Sequence, residues 1–234
     1  VAITFVSRRA NAANAAAALT YTIAVSAGTT GNLLLVIVHI AVPSSGSNNA
    51  ASVSDNGVGS AWQRDITRNA ATTGTLVGHA VFSTALGATP PTSLTLTMAG
   101  ATSVVGYQVL EFAGTATSSW FDASSTITQG AAGTSFTTSS VTPAAAGELA
   151  LLNVGLTAAA TAWTPGGSYV STGAVLGVQH EVGAAYILSG SSGAQTASAS
   201  WTTTVVPTGA LTFYKALAAA GATDHNLTST GVGH

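Results

Sequence analysis

Apolar runs of five to ten residues, rich in β-branched and aromatic side chains, alternate along this chain with short clusters of Gly, Ser, Asn and Pro. That rhythm is the mark of strands joined by tight turns. It predicts strands over 2–6, 18–25, 33–42, 74–84, 93–98, 104–112, 148–156, 174–188, 194–201 and 208–214. Most runs alternate apolar and polar positions, as a strand with one wet face must. Two do not. Leu33, Leu35 and Ile37 point to one face while Leu34, Val36 and Val38 point to the other, and Leu149 and Leu151 alternate with Leu152 and Val154. A strand that is apolar on both faces belongs in the middle of a sheet covered on both sides. The Ala-rich stretches 11–18 and 216–220 predict short helical turns on propensity, but neither carries an apolar stripe at helical spacing, so no long helix is expected.

The pattern also repeats. Adding 101 to Trp62, His79 and Phe112 gives Trp163, His180 and Phe213, and the same offset pairs Val104, Val105 and Leu110 with Val205, Val206 and Leu211. Ala and Thr coincidences mean little here, but Trp, His and Phe are scarce, so segments 61–112 and 162–213 read as two copies of one unit. Gly31-Asn32-Leu33-Leu34-Leu35 likewise matches Gly147-Glu148-Leu149-Ala150-Leu151, with an insertion at 43–57 in the first copy. Each copy supplies only four or five of the expected strands, and a sheet that small needs a second to cover its apolar face. The expectation is therefore an all-β fold: a jelly-roll-like β-sandwich built from two pseudo-repeated halves packed face to face. It occupies 1–217, with a C-terminal arm over 218–234. Two tandem domains are the alternative.

Composition narrows what such a fold can do. Charged residues make up 5% of the 234 positions, against about 25% in ordinary soluble domains, so Thr, Ser, Asn and Gly must supply solubility. Five Lys and Arg against seven acids give a net charge of −2, too little positive charge to follow a phosphate backbone, so nucleic acid is not an expected partner. With no Cys, disulfides and thiolate metal sites are excluded. The longest apolar run, 33–42, is interrupted by His39 and is half the length of a membrane helix. The opening residues lack a charged segment followed by an apolar one, and a chain that starts at Val1 is read as a processed form.

Several residues match a known pattern. Asp55-Asn56-Gly57 with Trp62, Val109-Leu110-Glu111-Phe112-Ala113-Gly114, Trp120-Phe121-Asp122, Ala146-Gly147-Glu148-Leu149 and Leu211-Thr212-Phe213-Tyr214-Lys215-Ala216 resemble a family of β-sandwich modules. Such modules occur in bacterial exported proteins and in tailed-phage virion proteins, as decoration or tail-associated subunits. The resemblance spans roughly residues 1–217 and carries no shared catalytic residues.

The candidates for chemistry are few. His79 shares a strand face with Val77 and Val81, and His180 with Val178 and Val182, while Glu181 points to the other face; a packed imidazole explains this better than a metal ligand. No HExxH spacing and no Gly-x-Ser-x-Gly elbow occurs. Paired carboxylates for glycoside hydrolysis would need two of Asp55, Asp65, Glu111, Asp122, Glu148, Glu181 and Asp224 to meet. Asp55-Asn56-Gly57 is first a turn and only then a calcium ligand. Trp62 and Trp163, at equivalent places, read as core anchors. Trp120, Phe121 and Trp201 have no equivalent of like type and are the candidates for an exposed ligand or partner contact. Leu227 and Val232 are the larger apolar anchors of the arm, which is expected to dock on a neighbouring subunit.

The resulting expectation is a non-enzymatic structural protein of a virion or extracellular surface assembly, without cofactor or metal. It would contact copies of itself and other structural subunits, with no membrane span. A module binding surface glycans is the rival reading.

Overall fold

The computed structural model describes residues 2–42, 50–68, 76–99, 103–158, 162–175, 181–188 and 191–218. Among them the fold is all β, and no described segment is helical. The first part of the chain supplies β1 (Thr4–Ala18), β2 (Thr20–Ala24), β3 (Leu33–Val42), β4 (Ala50–Asp55), β5 (Gln63–Arg68), β6 (Leu76–Ala85), β7 (Ser93–Met98) and β8 (Ser103–Ala113). The second supplies β9 (Phe121–Ser124), β10 (Thr128–Gln129), β11 (Gly133–Thr137), β12 (Leu149–Leu156), β13 (Thr164–Pro165), β14 (Val170–Val175), β15 (Glu181–Leu188), β16 (Ser198–Val205) and β17 (Pro207–Tyr214). These form four antiparallel sheets: β1-β8-β3-β6-β5 and β2-β7-β4 in the first part, β10-β17-β12-β15-β14 with β9 on β17, and β11-β16-β13, in the second.

The sheets stack as four layers, because each large sheet is apolar on both faces. Leu34, Val36, Val38 and Ile40 of β3 pack with Tyr21, Ile23, Leu94 and Leu96 of the first small sheet. On the other face of the same strand, Leu33, Leu35 and Ile37 pack with Leu149, Leu151 and Val182 of the second large sheet. Leu152, Val154 and Leu156 of β12 then face Phe136, Ala199 and Trp201 of the second small sheet. Both strands that read as apolar on each face are thus central, and every residue of β12 and of β17 is buried. Between the large sheets β3 lies over β12, β8 over β15, β6 over β17 and β1 over β14.

Each part of the chain holds eight or nine strands and its own pair of sheets, rather than the four or five strands expected. The strands that the sequence hides are β4, β5, β9, β10, β11 and β13, which have two to six residues and no apolar run. The stretch 11–18 is not a helical turn but the end of β1, paired to β8 from Asn11↔Gln108 to Ala18↔Ser103. Ala has strong helix propensity, yet a strand edge offering backbone partners outweighs a few tenths of a kcal/mol per residue. The segment expected as one strand over 174–188 divides into β14 and β15, with 176–180 outside the described residues.

The strand orders of the two parts coincide place by place, but not at the uniform offset of 101. Leu33 opposes Phe112 and Ala85, while Leu149 opposes Tyr214 and Leu188. Tyr214, not Phe213, therefore stands where Phe112 stands, and Val182, not His180, where His79 stands. A slip of one residue turns a side chain to the other face: Phe112 belongs to the core between the large sheets and Phe213 to the core beneath the second. The correspondence extends to irregularities. The pairing of β5 with β6 skips Asp65, and that of β14 with β15 skips Thr172 at the matching position. Trp62 and Trp163 also hold like places, each half-buried against the core of its own part.

Candidate functional site

A β-bulge re-aims a side chain, and the two matching bulges send Asp65 and Thr172 into polar clusters between the large sheets. Asp65 Oδ1 accepts hydrogen bonds from Ser83 Oγ at 2.8 Å and Gln63 Nε2 at 2.7 Å, and Oδ2 accepts one from Tyr214 Oη at 2.9 Å. Trp120 Nε1 donates to Ser83 Oγ at 2.7 Å, closing a chain that crosses from β5 and β6 to the second part. Burial pushes the Asp65 carboxyl up to about 6, against the pull of its three donors. The Tyr214 hydroxyl is pushed well above its ordinary value by burial and by Asp65. At the other bulge, Thr172 Oγ1 shares its one proton between Ala184 O at 3.0 Å and Gln108 Oε1 at 3.3 Å, and Gln108 Nε2 donates to Val182 O and Gly173 O.

Two buried histidines lie in the next inward-facing row along β3 and β6. His39 and His79 face one another across β3 and β6 with ring centroids 6.1 Å apart. His79 Nε2 lies 2.7 Å from Asn153 Oδ1 on β12, so this ring nitrogen carries the proton and donates. Burial, with Arg68 nearby, pushes the His79 imidazole down to about 4, although Asn153 pulls it up. His39 rests on Gly155, where any Cβ would overlap its ring. His79 is the packed imidazole that its strand face implies, and its partner is a side chain of the facing sheet. His180 lies outside the described residues.

At the end of the second large sheet, two of the seven acids come together. Glu148 precedes β12, Asp122 lies in β9 and Lys215 follows β17. Burial first, then the charge and hydrogen bond of Asp122, push the Glu148 carboxyl up to about 7, while the Ala145 N–H and Lys215 pull it down. Asp122 Oδ2 accepts the Ala144 N–H at 2.7 Å, and its Oδ1 lies 3.9 Å from Lys215 Nζ. Among the described residues no group of three or more His, Asp or Glu is placed to hold a metal ion.

The aromatic candidates are placed differently from expectation. Trp120 is 8% exposed and Trp201 4% exposed, so neither ring is presented to solvent. Each is buried because its Nε1 finds an acceptor inside, Ser83 Oγ for Trp120 and Gly133 O for Trp201. Trp201 stacks parallel on Trp163 at 6.3 Å, and Trp163 in turn lies flat over Gly183, where a Cβ would come within 2.7 Å of the ring. Phe121 is half-buried edge-to-face against Tyr214 at 5.9 Å. Leu227 and Val232 lie outside the described residues. Asp55-Asn56-Gly57 is a turn: Asp55 Oδ1 accepts the Gly57 N–H at 2.8 Å, and Asp55 Oδ2 accepts Trp62 Nε1 at 2.6 Å. Asn56 Oδ1 ties that turn to the Thr92 and Ser93 N–H groups. Glu111, expected only as one acid among seven, accepts Arg9, Asn32 Nδ2 and the Thr29 N–H, and so anchors the loop before β3.

Comparison of the chain with protein-family models, with curated proteins and with solved structures finds no match in any of the three.

Proposed function

We propose that this chain is a non-enzymatic structural subunit of a virion or extracellular surface assembly, of the capsid-decoration or tail-associated kind, working against copies of itself and other structural subunits. One observation carries the reading: the polar side chains between the large sheets are committed to holding those sheets together. Asp65, Ser83, Tyr214 and Trp120 bond one another across the large sheets, and His79 is bonded to Asn153 across the same layer. A stack of four sheets bonded in this way is a stiff block whose edges and loops are its outward features. The burial of Trp120 and Trp201 removes the stacking platform that a glycan-binding module would use. The order β1-β8-β3-β6 against β2-β7-β4, recurring in the second part, supports reading each part as a jelly-roll-like unit and the pair as a repeated motif.

The test is electron microscopy of concentrated full-length protein and of any native particle, beside a truncation after Ala218 and a glycan array. The expected result is an ordered assembly that the truncation weakens, with an empty array. A chain that stays monomeric and binds a defined glycan overturns the proposal.

A further inference from the structure

The outer strands of the two large sheets occupy matching places but are built differently. β5 reads Gln63-Arg64-Asp65-Ile66-Thr67-Arg68, and β14 reads Val170-Ser171-Thr172-Gly173-Ala174-Val175. An exposed strand edge is a template for another chain, and charged residues are a common guard against such pairing. β5 carries three charges and β14 none. Both carry a bulge at the same register, so the bulge does not distinguish them. β14 pairs with β15 alone among the described strands, so its outer edge has no sheet partner there, although the Gly173 N–H is held by Ser171 Oγ and the Gly173 C=O by Gln108 Nε2. The Arg8 guanidinium does lie near Gly173, but β1 of the stacked sheet brings it there.

Apolar surface gathers at the same corner. Val170 opposes Tyr186, so their side chains share a face, and Leu188 lies two residues further along that face. Val170 is 53% exposed and Leu188 40% exposed, next to a half-buried Tyr186 that packs on Phe5 and Phe112. The face that is sealed between the large sheets thus emerges uncovered beside the unguarded edge.

We infer that β14 is a self-association edge: β14 of one copy adds antiparallel to β14 of a second, joining two six-stranded sheets across a two-fold axis. A second copy is the fitting occupant because an uncharged strand meets itself without like-charge repulsion. Antiparallel addition of identical edges is also self-complementary and closes as a dimer. The added strand supplies Val170 with a cross-strand neighbour. This inference rests on the structural-subunit reading and names one contact that such a subunit would use.

Sedimentation velocity of the full chain, from ~1 to ~100 µM, tests it with Val170→Lys, Ser171→Lys and, as a control on β5, Thr67→Lys. Val170 and Ser171 are exposed, so the folded state is retained, which an unchanged melting temperature verifies. The expected result is a concentration-dependent dimer whose Kd rises at least about tenfold in both β14 variants, an energy of ~1.4 kcal/mol, and is unchanged in Thr67→Lys. A chain that is monomeric throughout, or variants on β14 and β5 that behave alike, overturns it. If larger assemblies form equally well with Val170→Lys, the structural reading stands while the β14 contact falls.

Discussion

Replacing Asp65 by Asn isolates the titration of one buried carboxyl. The amide keeps the shape of the group, still accepts from Ser83 and Gln63, and meets a Tyr214 hydroxyl that is able to accept as well as donate. Burial in the folded chain raises the wild-type carboxyl from its ordinary 3.8 to about 6. The folded chain therefore holds its proton more tightly. That stabilisation is complete below the unfolded value and is lost as pH rises through the folded one. At 1.36 kcal/mol for each tenfold change in proton affinity, the swing is up to ~3 kcal/mol. Partial exposure of Asp65 makes this an upper bound. The assay is urea unfolding of wild type and Asp65→Asn from pH 4 to pH 8, taking the difference at each pH so that other titrating groups cancel. The variant should gain on wild type as pH rises, by one to three kcal/mol over the range (order of magnitude). A difference that stays flat with pH, or that shrinks as pH rises, refutes the burial of this carboxyl in the sheet interface.

His79 has the opposite sign, since its folded value near 4 lies below the ordinary 6.5; wild type should lose stability as pH falls from 6.5 towards 4, and unfolding of His79→Gln should show that loss removed. Gly155→Ala places a methyl group in the His39 ring and should destabilise by ~1 to 3 kcal/mol, read as a lowered urea midpoint. Leu151→Ala, fully buried between the large sheets, should cost ~2 to 5 kcal/mol, whereas Leu188→Ala at the exposed corner should stay within about 0.5 kcal/mol.

The parts of this fold that were legible in the sequence are those whose burial pattern is extreme. Leu33 to Val38 and Leu149 to Val154 announce strands covered on both faces, because a half-exposed strand does not carry large apolar residues on both of its faces. The small sheets were less legible: β4, β11 and β13 have two to six residues of mostly Ser, Thr, Ala or Gly, which turns use equally well. The offset of 101 pairs Trp62 with Trp163, which hold like places in the two strand orders, but sets Phe112 against Phe213, because residue identity ignores which face of the sheet a ring occupies. The burial of Trp120 and Trp201 was hidden for a related reason. Trp120 and Trp201 lack an equivalent of like type, yet uniqueness in a repeat says nothing about exposure, and each indole N–H has a buried acceptor that sequence does not reveal. The pairing of Asp122 with Glu148 is a contact between β9 and the residue before β12, set by strand order alone.

The central claim is that the two parts of the chain share one core, sealed where the two large sheets meet. Hydrogen exchange of the backbone amides tests it most directly, with β3 and β12 as reporters, because these strands stack on one another at the centre of the molecule. If the core is shared, both strands exchange only through the same global opening, with equal protection that falls together in Leu151→Ala. Separate protection, with β3 unchanged when Leu151 is truncated, would contradict the account and leave two independent sandwiches joined by a linker.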